Sequence, residues 1–243
     1  MDSIKTRGII ARKSDYGESN SMLTIFSREL GIISACAYGV RSGKSKQKAG
    51  IQVFCLCDFV LSKKGGDIYK VDSAELAESF YPLCEDFEKL ALASYFMEVI
   101  PDVFADGDAD VLSLLLNSLY VLAYKDVAPE LVKAVFELRL SKLSGYEPEV
   151  GQCMICGSEA VSGFDLSGGT VCRTCKGKDA RDLSLGSIYA MRYILNADEK
   201  RLFSFEVTDD VLKELSGICE KYFTDKTEKS YKALEYYKKI KRM

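Results

Sequence analysis

The hydrophobic pattern of this chain changes character once along its length. Up to Ala74 the apolar positions come in short runs separated by turn residues. Ile4–Lys13 mixes apolar and basic residues and stops at Ser14-Asp15-Tyr16-Gly17. Met22, Leu23, Ile25 and Phe26 form a second run, closed by Glu29-Leu30-Gly31, and Ile32–Val40 a third. Gln52–Ser62 is β-branched and aromatic, and the hairpin signal Lys63-Lys64-Gly65-Gly66-Asp67 leads from it into Ile68–Ala74. Five short strands punctuated by glycine predict a small closed or nearly closed barrel. From Tyr81 the period lengthens. Phe87, Leu90, Ala91, Ser94, Tyr95 and Glu98 fall at helical spacing, and Val111–Leu122 is apolar enough to be a buried helix. Pro129 suits the first turn of a helix that runs to Leu143 and stops at Gly145. Residues 151–180 hold six glycines and no helical period; helices resume at Leu185–Leu195, Asp209–Phe223 and Ser230–Ile240. The whole reads as a multidomain α+β chain, barrel first and helices after, with an irregular insert.

Composition sharpens this picture in three places. With 47% hydrophobic and 28% charged residues over 243 positions, the chain can bury a sizeable core. Met1-Asp2-Ser3-Ile4-Lys5 lacks the apolar region of a secretory leader, and no stretch approaches the roughly 18 apolar residues of a membrane span. A cytoplasmic protein is expected. There is no histidine, which excludes Ser-His-Asp and Cys-His catalysis and imidazole-ligated metals. Charge is uneven. Residues 1–78 carry twelve Lys/Arg against nine Asp/Glu, residues 79–150 five against thirteen, and residues 151–243 sixteen against fourteen. An acidic middle between two mildly basic ends points to modules with different partners.

Five of the nine cysteines (Cys36, Cys55, Cys57, Cys84 and Cys219) lie in apolar or strand-like contexts and read as small buried hydrophobes in a reducing compartment. The other four form two C-x-x-C pairs, Cys153/Cys156 and Cys172/Cys175, fifteen residues apart. Each pair can offer both sulfurs from one turn, and four thiolates satisfy a tetrahedral Zn²⁺. Gly157 and Gly177 allow the turns to close, and the insert with Phe164, Gly168, Gly169 and Val171 predicts a short hairpin that carries the second pair to the first. One structural zinc ion is the expectation. Two disulfides, thiol redox chemistry and an iron–sulfur cluster are the alternatives.

A basic loop supplies the second candidate. Tyr38-Gly39-Val40-Arg41-Ser42-Gly43-Lys44-Ser45-Lys46-Gln47-Lys48 carries Arg41, Lys44, Lys46 and Lys48 with no acidic residue. Such a loop beside a barrel can track a phosphate backbone, with Arg7, Arg12 and Lys13 of the first strand extending the track. An ordinary solvated loop is the competing reading. Gly43-Lys44-Ser45 lacks the earlier glycine of a nucleotide-binding phosphate loop, since position 38 is tyrosine. Tyr16, Tyr38, Phe54, Phe59 and Tyr69 are the aromatics available to stack on bases or to fill the core.

These segments, taken in order, resemble a known family. Tyr16-Gly17-Glu18, the run Leu23–Gly31, and Gly39-Val40-Arg41 with Lys44-Ser45 are similar to the N-terminal domain of RecO recombination-repair proteins. Phe136-Glu137-Leu138-Arg139-Leu140, Gly145-Tyr146-Glu147-Pro148, Cys153 and Lys229-Ser230 resemble its later parts. The resemblance implies an OB-fold domain over residues 1–78 and a helical domain over 79–150 and 180–243. A zinc module over 151–179 interrupts the latter, and no catalytic centre is implied. It implies binding of single- and double-stranded DNA, annealing of complementary strands, partnership with RecR, contact with the acidic tail of single-stranded DNA-binding protein, and loading of RecA. The family's barrel contacts carry over to Arg41 and Lys44, with Lys46 and Lys48 in support. The tail contact is expected near Lys133, although residues 79–150 are strongly acidic. The resemblance implies neither a membrane nor a small-molecule substrate. Two other classes compete with a DNA-binding mediator. One is a zinc-ribbon adaptor that binds only proteins; the other is a thiol oxidoreductase using one C-x-x-C pair.

Overall fold

The structure is a computed structural model that describes residues 3–42, 50–63, 66–104 and 107–242. Lys44, Lys46 and Lys48 of the basic loop, and Lys64-Gly65 of the hairpin turn, lie outside them. The chain divides into two compact units, residues 1–113 and 114–243.

The first unit opens with β1 (Ser3–Tyr16), β2 (Asn20–Ser27), β3 (Gly31–Ala37), β4 (Cys55–Lys63) and β5 (Ile68–Ser79). They close a barrel in the order β1-β2-β3-β5-β4, with β3 and β5 parallel and β4 returning antiparallel to β1. This is the five-stranded closed barrel of an OB-fold. Closure follows from the pleat. Alternate residues of each strand (Leu23 and Ile25 of β2, Ile33 and Ala35 of β3, Cys57, Phe59 and Leu61 of β4) face one shared interior and are buried there. β1 runs past the expected stop at Ser14, because Asp15 and Tyr16 still pair with Ser21 and Asn20. β4 starts later than expected, at Cys55, because Phe54 adopts a left-handed φ of 67° that ends the pleat. A 3₁₀ turn (Tyr81–Glu85) leads to α1 (Phe87–Val103), capped by the Asp86 carboxylate, which accepts from the amides of Glu88 and Lys89 at 2.8 and 3.1 Å. Phe104 packs its ring 6.2 Å from that of Phe26, which covers an apolar side chain on the outside of β2.

α2 (Ala109–Tyr124) straddles the division. The second unit continues with α3 (Pro129–Leu143), a small sheet of β6 (Val161–Asp165), β7 (Gly169–Cys172) and β8 (Arg181–Asp182) in the order β7-β6-β8, then α4 (Leu185–Asn196), α5 (Asp209–Thr227) and α6 (Lys232–Ile240). Pro129 occupies the first turn of α3, where its missing amide costs nothing. α3 is buried along most of its length and packs against α4 and α5. Among the described residues no helix is long and apolar enough to cross a membrane.

Candidate functional site

The four cysteines of the insert come together. β6 and β7 form the predicted hairpin, and Phe164 and Val171 are buried beneath it. β7 delivers Cys172 and the turn with Cys175. The first pair is set by a turn in which Gly157 (φ 74°) returns its amide to the Cys153 carbonyl at 2.8 Å. Met154 donates its amide to the Thr170 carbonyl at 2.9 Å, which docks one pair on the strand that carries the other. Gly169 makes this approach possible: a Cβ there would lie 2.2 Å from the Glu149 carbonyl oxygen. The guanidinium of Arg192 on α4 holds the incoming chain by donating to the carbonyls of Val150 and Gly151 at 2.5 and 2.8 Å. Phe164 meets Tyr222 of α5 edge-on at 5.4 Å.

All four sulfurs lie within 4.8 Å of one another, and Cys156 and Cys172 are 3.7 Å apart. Tetrahedral thiolates bound at about 2.3 Å stand about 3.8 Å apart, so the spacing fits a single ion. A backbone hydrogen bond at Cys172 foremost, then those at Cys156 and Ile155, overcomes burial and lowers the Cys153 thiol to about 6. Hydrogen bonds with Cys156 and Cys172 push Cys175 up to about 12. Sulfurs this close cannot all ionise without a cation among them, so this cluster can hold a metal ion.

The second cluster gathers around the β1–β2 hairpin. Gly17 turns it with φ 61°, and the Gly39 amide donates to Asn20 Oδ1 at 3.0 Å. The Arg41 amide donates to the Ser19 carbonyl at 2.9 Å. The Arg41 guanidinium reaches the Gly17 carbonyl at 3.3 Å and Asp15 at 3.2 Å, leaving its outer edge in solvent. Tyr16 and Tyr38 are 52% and 56% exposed at this end of the barrel, whereas Phe54 and Phe59 are core residues at 5% and 1%. A hydrogen bond with the Cys36 thiol, then the charge of Cys36, raises the Tyr38 phenol above its ordinary pKa. Tyr16 adds to that rise and Lys70 opposes it, so both are neighbours of Tyr38. Tyr69 lies under the Lys63 ammonium, 5.3 Å from its ring centre. Lys63 and Lys70 therefore add cations that sequence reasoning left as turn and strand residues. The signal was available in the β4–β5 hairpin, which pairs Lys63 with Tyr69.

The first-strand cations divide. Arg12 is exposed with no ion pair among the described residues. Lys13 donates to the Ile51 carbonyl at 2.9 Å and to Gln52 at 3.2 Å. Arg7 is turned away into a bidentate pair with Asp58, both contacts 2.7 Å, in a groove that also holds Glu29 and Glu75. That acidic setting separates it from Arg41. Lys133 is no surface cation. It is 1% exposed and reaches Glu137 at 3.1 Å, Glu220 at 2.9 Å and the Ser216 carbonyl at 3.5 Å. The sequence misleads here because α3 carries charged residues along its length, and only its packing against α4 and α5 decides which of them is buried. Cys84, expected to be buried, is exposed.

Comparison with known sequences is consistent along the whole chain. The family profile described as Recombination protein O N terminal matches residues 1–80, and that described as Recombination protein O C terminal matches residues 84–235. The DNA repair protein RecO of Acetivibrio thermocellus is 38% identical, the alignment covering 100% of this chain and 99% of the relative. Those of Alkaliphilus metalliredigens and Caldicellulosiruptor saccharolyticus are 32% and 30% identical, with 98% and 99% of this chain covered and 99% and 100% of theirs.

Proposed function

The chain belongs to the recombination protein O family of DNA repair proteins, and from that membership we propose that it mediates homologous recombination without covalent catalysis. In this reading it binds single- and double-stranded DNA, anneals complementary strands, and works with RecR to load RecA onto strands coated by single-stranded DNA-binding protein, in the cytoplasm at the nucleoid. Residues 1–78 are the nucleic-acid-binding segment, residues 79–150 and 180–243 the helical segment, and residues 151–179 the metal module.

One observation carries the DNA reading: exposed Tyr16 and Tyr38 sit beside Arg41 at the end of a closed barrel where the basic loop begins. Bases stack on exposed phenol rings whatever their identity, and cations hold the phosphates. Arg41, Lys44, Lys46 and Lys48, with Arg12 and Lys13, make the phosphate track. Arg7 contributes less, since its guanidinium is taken up by Asp58. One strand held by its backbone keeps its pairing edges open to a second strand, which is the physical requirement for annealing.

Cys153, Cys156, Cys172 and Cys175 hold one structural Zn²⁺ in this reading. Four thiolates leave no open coordination position, so the ion would fix the module on α4 and α5 and activate no water. The tail of single-stranded DNA-binding protein is acidic and needs an exposed cation. Lys133 does not offer one, and the contact is assigned to other cations of the helical segment.

The test is annealing of complementary oligonucleotides coated with single-stranded DNA-binding protein. Acceleration by this protein, lost when Arg41, Lys44, Lys46 and Lys48 are neutralised together, supports the reading. A rate equal to that without protein would overturn it.

A further inference from the structure

The last helix carries a charge pattern of its own. From Lys229 to Arg242 the chain holds six lysines and arginines and one carboxylate, Glu235. α6 is short and strongly sided. Leu234 and Tyr237 are buried, as is Tyr231 just before the helix. Lys232, Glu235, Tyr236 and Lys239 are exposed, and their spacing of three and four residues puts them on one outward face. Tyr236 is 56% exposed, and Arg242, one turn beyond Lys239, is exposed as well.

The carboxylates around this helix are matched by other cations. Glu220 of α5 takes Lys133 and Lys238, Glu235 takes Lys238 at 3.1 Å, and Glu130 of α3 takes Lys241. Asp225, near the end of α5, lies 3.7 Å from its neighbour Lys226. Glu228 ends α5 in a left-handed conformation and is followed at once by Lys229. Lys239 and Arg242 form no ion pair among the described residues.

Helix stability explains only part of this pattern. Cations in a last turn complement the helix dipole, which accounts for Lys238 and Lys239 without any partner. Lys232 stands in the first turn, where the dipole opposes a positive charge. A phenol ring in water between Lys232 and Lys239 adds nothing to the packing of α6. The two lysines stand about 10 Å apart along the helix axis, with Tyr236 between them. A single strand of nucleic acid fits this arrangement: its phosphates meet the cations, and its unpaired bases offer faces that stack on the ring. Duplex bases keep those faces within their own stack, and an acidic peptide offers charge alone.

We propose that the outer face of α6 is a second single-strand site, in which Tyr236 stacks on a base while Lys232, Lys239 and Arg242 hold the flanking phosphates. The inference rests on the DNA-binding reading and extends it. Annealing needs two strands on one protein, and the Tyr16–Tyr38–Arg41 cluster holds one.

The test irradiates the full chain with an oligothymidylate carrying 5-iodouracil, which joins to a stacked tyrosine, and identifies the labelled peptides by mass spectrometry. At low salt the native protein is labelled at Tyr236. Labelling there persists when Arg41, Lys44, Lys46 and Lys48 are neutralised, and falls about tenfold in a Lys232→Gln/Lys239→Gln/Arg242→Gln variant that has lost its phosphate contacts. The three substituted residues are exposed, and Lys238 and Lys241, which tie α6 to α5 and α3, stay in place. The variant therefore keeps the native circular dichroism spectrum. Labelling of Tyr16 and Tyr38 in the same samples reports separately on the barrel. Its absence beside a labelled Tyr236 would remove the barrel site and leave this one. No label at Tyr236 overturns the proposal, and does so alone when Tyr16 or Tyr38 is labelled. An undiminished label in the variant, or suppression by poly-glutamate as strong as by unlabelled oligothymidylate of equal charge, would also overturn it.

Discussion

The Lys133 ammonium lies 2.9 Å from the Glu220 carboxylate and joins α3 to α5 where both side chains are largely shielded from water. Glu137, one turn further along α3, and the Ser216 carbonyl satisfy the remaining donors of the ammonium. On the far side, Glu220 also takes Lys238 of α6 at 2.5 Å, so the network runs through three helices. Removing one member of a buried pair leaves an unpaired charge behind, at a cost of about 3–5 kcal/mol. Lys133→Ala is therefore expected to lower the urea midpoint sharply. Lys133→Met combined with Glu137→Gln recovers a large part of the loss. Equal midpoints for Lys133→Ala and the native protein would show that the network contributes nothing.

The same network fixes the acid response of the second unit. Burial alone would raise the Glu220 carboxyl, but Lys133 and Lys238 overcome it and hold the group below its ordinary value. A carboxyl lowered on folding contributes stability above its unfolded pKa, about 4.3, and loses it as pH falls through the folded value. Burial would lower Lys133, yet Glu137 and Glu220 raise it, so its contribution persists through neutral pH and fades only in strong alkali. Helical circular dichroism of the native protein in mild urea should therefore drop steeply below about pH 4. Glu220→Gln starts less stable at pH 7 and loses less on acidification.

Metal removal gives a separate prediction. Elemental analysis is expected to find one zinc per chain, and Cys172→Ser to abolish it. Alkylation of Cys153, Cys156, Cys172 and Cys175 is slow until a chelator is added. Gly169→Val reproduces the Cys172→Ser defect, since the added Cβ would strike the Glu149 carbonyl. Fast alkylation of all four thiols in the freshly purified protein would contradict a bound ion.

Tyr16→Ala and Tyr38→Ala each weaken binding of a single-stranded oligonucleotide by about 1–3 kcal/mol, the value of one stacked base. Both leave the thermal midpoint unchanged, because the rings are exposed. Phe59→Ala shows the reverse pattern, with a fold loss of about 3–5 kcal/mol from the barrel core. An oligonucleotide affinity indifferent to both tyrosines would remove stacking from the account.

Much of this could be read along the chain, where the physics is local. Strand and helix periods located the barrel strands β1 to β5 and the helices α1 to α6, and two C-x-x-C turns joined by a hairpin announced the four-cysteine cluster that can hold a metal ion. What stayed hidden depends on pairings between distant positions. Arg7 lies 51 residues from Asp58, and no local pattern marks their pairing. Phe54 and Phe59 have the same composition signature as Tyr16 and Tyr38, and only the closed barrel separates core from surface. Lys133 belongs with these: Glu130, Arg139 and Lys142 share its helix, so the pattern does not single it out, and its partner Glu220 comes from α5.

The most direct test of the central claim is fluorescence-anisotropy titration of a labelled single-stranded oligonucleotide at low and moderate salt. The account predicts tight binding that weakens with salt. Neutralising Arg41, Lys44, Lys46 and Lys48 flattens the logarithmic slope by about 0.7 for each phosphate that the protein then leaves to its counterions. No binding at low salt, or an unchanged slope in that variant, would contradict it.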